Sequence, residues 1–214
     1  MTPGSADPGL RAAAALRAED RRRLGRRARQ LAGFSVAYNV IEGIIAVAAG
    51  VAAGSVALVG FGIDSGVEVA SGLVILWQFR HPLPESRERL AGRLIAGSFI
   101  LLAVYVTVES GRALIAQEPP DASTVGIVLA AVSLLVMPFV SVAQRRTGRA
   151  LGSGAVVGDG NQTLLCTYLS GVLLAGLLLN GLLGWWWADP VSALVIAAVA
   201  VNEARSAWRG DDCC

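Results

Sequence analysis

SVALVGFGIDSGVEVASGLVILWQF, residues 55–79, is an apolar run whose only ionisable groups are Asp64 and Glu68. A helix of about 20 such residues spans the hydrocarbon core of a bilayer. The stretch therefore predicts a membrane helix that carries two acids through an apolar medium. Outward from it lie five more runs of the same kind, at 30–52, 92–116, 123–144, 156–184 and 187–207. The whole chain has 54% hydrophobic and 16% charged residues and a mean hydropathy of +0.59. That excess is more than one soluble core of this size would bury. The expected fold class is an all-α membrane protein with six transmembrane helices, and a water-soluble enzyme is excluded.

The charges set the expected topology. All 18 basic residues are arginine, and 17 of them fall on one side of the six runs: Arg11 to Arg29, Arg80 to Arg93, Arg145 to Arg149, and Arg205 with Arg209; Arg112 is the exception. Cytosolic segments carry the excess of positive charge. Both termini and the two longer loops are thus expected in the cytosol, and the opposite turns, at Ala53-Gly54, Glu118 to Asp121 and Trp185 to Pro190, are short. The predicted organisation is an Arg-rich segment 1–29, a six-helix domain 30–207 and a tail 208–214. Residues 11–29 read as a helix running into the first span, serving as topology signal and anionic-lipid contact. No cleavable leader is expected, and arginine usage suggests a multi-pass protein of a bacterial cell membrane. A net charge of +2 gives no case for nucleic acid. Three cysteines, two of them terminal, make no disulfide framework.

An acid at the centre of a spanning helix costs roughly 2.5–3.5 kcal/mol on insertion scales, so each needs a partner, a cavity or a cation. Asp64 and Glu68 are four apart and share a helix face; uncompensated, the two together cost on the order of 5–7 kcal/mol. Glu42 lies in the first run and is expected to line the path; Asn39, one turn before it, reads equally as lining the same path or as bonding across helices. In the fifth run Asp159, Gln162 and Cys166 fall at i, i+3 and i+7, again on one side. Carboxylate, amide oxygen and thiolate are all metal ligands, and sulfur favours zinc or another transition ion. Counted from the outer ends at about 1.5 Å per residue, Glu68 and Cys166 differ in depth by about one helical turn. The same set also admits a bland reading, in which one acid is protonated and bonds a neighbouring helix.

Other polar residues read as structural. Glu109 and Arg112 form an i, i+3 pair, Asp189 before Pro190 reads as an N-cap, His81 reads as surface, and Asp211-Asp212-Cys213-Cys214 as a frayed tail. Small residues four apart, Ala46-Gly50-Gly54 and Gly62-Gly66, and eight apart, Gly176 with Gly184, predict close helix packing. Gly152 to Gly158 is glycine-rich but lacks the strand of a dinucleotide loop.

Tyr38-Asn39, Gly54 to Leu58, Asp64-Ser65-Gly66-Val67-Glu68, Gln162 to Cys166 and Ala188 to Leu194 together resemble the cation diffusion facilitator family, over roughly residues 30–207. The resemblance implies six spans, a homodimer, and export of zinc or a related divalent ion in exchange for protons. By the same resemblance Asp64 and Glu68 take the metal-ligand places of the second helix, and Gln162 and Cys166 those of the fifth. Family members use histidine and aspartate at the latter two, so the metal preference here is expected to differ. The short stretch after residue 207 implies a membrane-only branch without the added cytosolic domain. Metal is the transported substrate; no prosthetic group and no enzymatic reaction are expected. The competing expectation is a transport-inactive or channel-like six-helix protein with a metal- or proton-sensing acidic site.

Overall fold

The computed structural model describes residues 8–78, 85–117 and 119–209. His81, Arg80, Glu118 and the Asp211–Cys214 tail lie outside the described residues. Six helices follow one another: α1 (Pro8–Ala53), α2 (Val56–Gln78), α3 (Glu85–Ala116), α4 (Thr124–Leu151), α5 (Gly154–Leu183) and α6 (Ala188–Arg209). Five of them are long and apolar enough to cross a membrane. The sixth, α6, is set apart by Asn202, Glu203 and Arg205 in its last turns.

Burial runs the opposite way from a water-soluble bundle. Ile44, Leu101, Leu135, Phe139 and Leu182 are turned outward, while Asn39, Glu42, Asp64, Glu68, Gln144, Asp159 and Asp189 are buried. Apolar side chains outside and ionisable ones inside suit a bilayer as solvent, where every polar group must find its partner within the protein. The chain is a multi-pass membrane protein.

Three pairs make up the bundle: α1 with α2, α4 with α5, and α3 with α6. Helix α2 is the hub, since it also packs against α3, α5 and α6, whereas α1 reaches across to α4. The helix carrying Asp64 and Glu68 is therefore surrounded by protein. At the α1–α2 turn Gly54 adopts φ +65°, and Ser55 N–H donates to Gly50 O at 2.9 Å. Gly184 does the same work after α5, at φ +66°. The close-approach expectation holds for Gly50, Gly62 and Gly176. A Cβ on Gly62 would stand 2.7 Å from Val47 Cγ2, and one on Gly50 2.7 Å from Val59 Cγ2 and from its backbone nitrogen. It does not hold for Gly54, Gly66 and Gly184, which face open space; two of these are left-handed helix caps instead.

Two further expectations are corrected. The stretch 145–155 is not a loop: α4 continues through Arg145, Arg146 and Arg149 to Leu151, and Gly152-Ser153 alone turns the chain into α5. Hydropathy falls there, but arginine is a good helix former and the backbone bonds persist. Gly152 closes α4 in the left-handed region, and Ser153 Oγ accepts from Val156 N. The second correction concerns Asp189, which caps a different helix. Its carboxylate accepts from Ser55 Oγ at 2.5 Å and from Ala57 N at 3.4 Å, at the first turn of α2. Ser55 in turn accepts from Leu58 N at 3.1 Å. The positive end of α2 thus meets a carboxylate delivered by α6.

At the arginine-bearing end, Arg93 of α3 lies over the Trp208 ring of α6, 5.8 Å from its centroid. Arg112, the exception, pairs with Glu109 at 3.1 Å in an exposed position, as its spacing predicts. Trp185 and Trp187 stack at the opposite end, with ring centroids 5.2 Å apart.

Candidate cation site

The site is built on α2. One helical turn separates Asp64 from Glu68, so both carboxylates leave the same face, and each residue is only 6% exposed. That face looks towards α1 and α5. Opposite it stands Cys166 of α5, whose Sγ is 4.0 Å from Asp64 Oδ2 and within hydrogen-bonding reach of Glu68. The one-turn depth offset expected between Glu68 and Cys166 does not keep the two apart. From α1, Asn39 Nδ2 donates to Glu68 Oε2 at 2.8 Å. Glu203 of α6 lies within electrostatic range of Asp64.

Glu42 belongs to the same interior but is differently held. It accepts from Ser65 Oγ of α2 at 3.0 Å and, in a very short bond, from Ser133 Oγ of α4. Tyr38 Oη in turn pairs with Ser133 Oγ at 2.9 Å. Two hydroxyl donors on one carboxylate tie α1, α2 and α4 into a clamp. The sequence reading did not reach Ser65, Ser133 or Tyr38 in this role. A serine is small enough to be buried at low cost, so its presence in an apolar run raises no alarm.

Asp159 and Gln162 lie apart from the central contacts. Asp159, about two turns before Cys166 and 7% exposed, accepts from Gln144 Nε2 of α4 at 2.5 Å. It remains within electrostatic range of Glu68. Gln162 is one turn before Cys166, and its Nε2 is shut off from solvent with no hydrogen-bond partner. Gln144 Oε1 and Asn39 Oδ1 are orphaned in the same way. Gln144 was missed for the reason that hid the serines: it stands at the end of a hydropathy run, where a glutamine looks like surface.

The electrostatics are lopsided. The arginine–carboxylate pair found among the described residues is Arg112 with Glu109. When ionised, Glu42, Asp64 and Glu68 repel one another through a low-dielectric interior, and no arginine among the described residues is paired with them. As the side chains stand, no three His, Cys, Asp or Glu among the described residues form a closed metal-binding group. What the arrangement offers is an acidic chamber with two carboxylates, one thiol and the unpartnered amide oxygen of Asn39. Such a chamber accepts a cation or protons.

Comparison with known proteins agrees with this picture. The chain is 28% identical over 154 residues to an uncharacterized transporter of Synechocystis sp., covering 66% of this chain and 49% of that protein. It is 30% identical over 110 residues to the cation-efflux pump FieF of Shewanella oneidensis, covering 51% of this chain and 36% of the pump. The alignments thus span half or less of these curated relatives. Residues 33–209 match the cation efflux transmembrane domain. That match contains Asn39, Glu42, Asp64, Glu68, Asp159, Gln162 and Cys166, and the chain belongs to the cation efflux family.

Proposed function

We propose that the protein exports a divalent transition-metal cation across the membrane in exchange for protons, with Asp64 and Glu68 as the principal ligands and Cys166 as the third. The observation that carries this reading is the burial of both carboxylates on α2, side by side with a thiol and with no arginine paired to them among the described residues. A metal ion offsets their repulsion, and protons do so in its absence. Metal binding requires deprotonated carboxylates and thiol, so each bound cation displaces protons and each protonation weakens its hold. Exchange at one site then couples the two fluxes without nucleotide or prosthetic group. Zinc, iron, cobalt and manganese are the candidate substrates, and Gln162, one turn before Cys166, is a neutral amide in reach of the same path. Asp159 and Glu42 line the approach, the first between Gln144 and Glu68, the second as part of the clamp. A homodimer is the proposed working form, and export from the cytosol the proposed direction.

The test is flux in proteoliposomes under an imposed pH gradient. Zinc, cobalt, iron or manganese should move against the proton gradient, and Asp64→Ala or Glu68→Ala should abolish the movement. Absence of flux with all four metals would remove the exporter reading. A steep dependence on voltage with no response to Cys166→Ser would replace it with a channel.

A further inference from the structure

Asn39 is the residue of the chamber whose chemistry is least complete. It enters from α1 and is 1% exposed. Its Nδ2 donates twice, to Glu68 Oε2 at 2.8 Å and to Ser35 Oγ at 3.4 Å. Its Oδ1 has no solvent and no donor. With Glu68 ionised, as metal binding requires, turning the amide over gives no relief, because the oxygen would then face a carboxylate oxygen, two acceptors with no hydrogen between them. A buried acceptor left without a partner is costly and rare in folded proteins. Here it stands beside a carboxylate in a chamber that already lacks positive charge.

One species satisfies the stranded oxygen and the acids together. We propose that Asn39 is a ligand of the transported cation, its Oδ1 joining the Asp64 and Glu68 carboxylates to form an oxygen-rich seat between α1 and α2. This rests on the reading of the chamber as a divalent-cation site. It also assigns α1 a part in selectivity. Carboxylate and carbonyl oxygens suit harder ions such as manganese, while the Cys166 thiol suits zinc and cadmium. Asn39 therefore raises the affinity for manganese relative to zinc, and Cys166 opposes it.

The experiment is metal binding to the purified full chain in detergent, with manganese, cobalt, zinc and cadmium each titrated against a fluorescent chelator. The proteins are the unaltered chain, Asp64→Asn, Asn39→Leu and Asn39→Asp. Both Asn39 variants lose the donor to Glu68, but only Asn39→Asp keeps an oxygen at the ligand position. Asn39→Leu should weaken manganese at least tenfold and zinc about threefold, and Asn39→Asp should restore manganese to the unaltered value or better. Equal weakening of all four metals by both variants would reduce Asn39 to a positioning residue for Glu68 and overturn the proposal. Unchanged manganese binding by Asn39→Leu would overturn it as well. Failure of the unaltered chain to bind any of the metals, or indifference to Asp64→Asn, would instead sink the underlying cation-site reading. Should Asn39→Leu fail to fold, electron–nuclear double resonance on bound manganese decides the matter: asparagine labelled with carbon-13 at Cγ should couple to the metal in the unaltered chain, and no coupling would refute ligation.

Discussion

Helix α2 meets buried carboxylates at two places, and they are held in opposite ways. At its first turn, Asp189 of α6 receives a serine hydroxyl and a backbone N–H at the positive end of the helix. Further along, Asp64 has a single thiol at 4.0 Å, and Glu68 an asparagine amide with the same thiol in reach. Both regions are sealed from solvent, so burial does not distinguish them. Supply of donors does. A carboxylate met by a helix N-terminus is already compensated and serves as a fastener; carboxylates short of donors and crowded by like charge keep their capacity for a guest.

Substitutions can break that contrast. The largest effect is expected at the undersupplied acids: Asp64→Asn or Glu68→Gln should lower metal flux in proteoliposomes at least 100-fold, on the order of 3 kcal/mol in transport terms. The same variants should unfold no more easily in detergent, because a repulsive buried charge has been removed. A large loss of stability there would erase the distinction. Asp189→Ala should invert the pattern, costing about 2–4 kcal/mol of stability as Ser55 and Ala57 lose their acceptor, with flux per folded molecule within about twofold of the unaltered chain.

Smaller effects sharpen the comparison by testing the frame around both sites. Gly62→Ala should cost about 1–3 kcal/mol, read as a lower unfolding midpoint, since the new Cβ would press on Val47 Cγ2 and on its backbone nitrogen. Ser133→Ala should cost about 1 kcal/mol by removing one of the two hydroxyls on Glu42, and should leave metal affinity nearly intact. A drop in affinity matching that at Asp64 would move Glu42 from the clamp into the binding site.

Much of this was legible before any coordinates. Asp64 and Glu68 stand out because an apolar medium makes charge expensive, and their four-residue spacing fixes the shared face. The six helices followed from apolar runs between turn residues. What stayed hidden was pairing between distant segments. Nothing local says that Ser133 meets Glu42, that Gln144 meets Asp159, or that Asp189 serves α2 in place of its own helix; each depends on which helices pack together. Helix length beyond the bilayer was hidden too, because hydropathy reports the solvent and not the backbone. The arginines of α4 illustrate it: the run ends at 144 and the helix at Leu151.

Helix α1 runs unbroken from Pro8 to Ala53, 46 residues or about 70 Å from end to end. Asn39 lies 14 residues from one end and 31 from the other. Pivoted there, the rod acts as a lever with arms in a ratio of about one to two. A small rocking of α1 about that point would leave Asn39 beside Glu68 and swing the arginine-bearing tip through a wider arc than any other part of the helix.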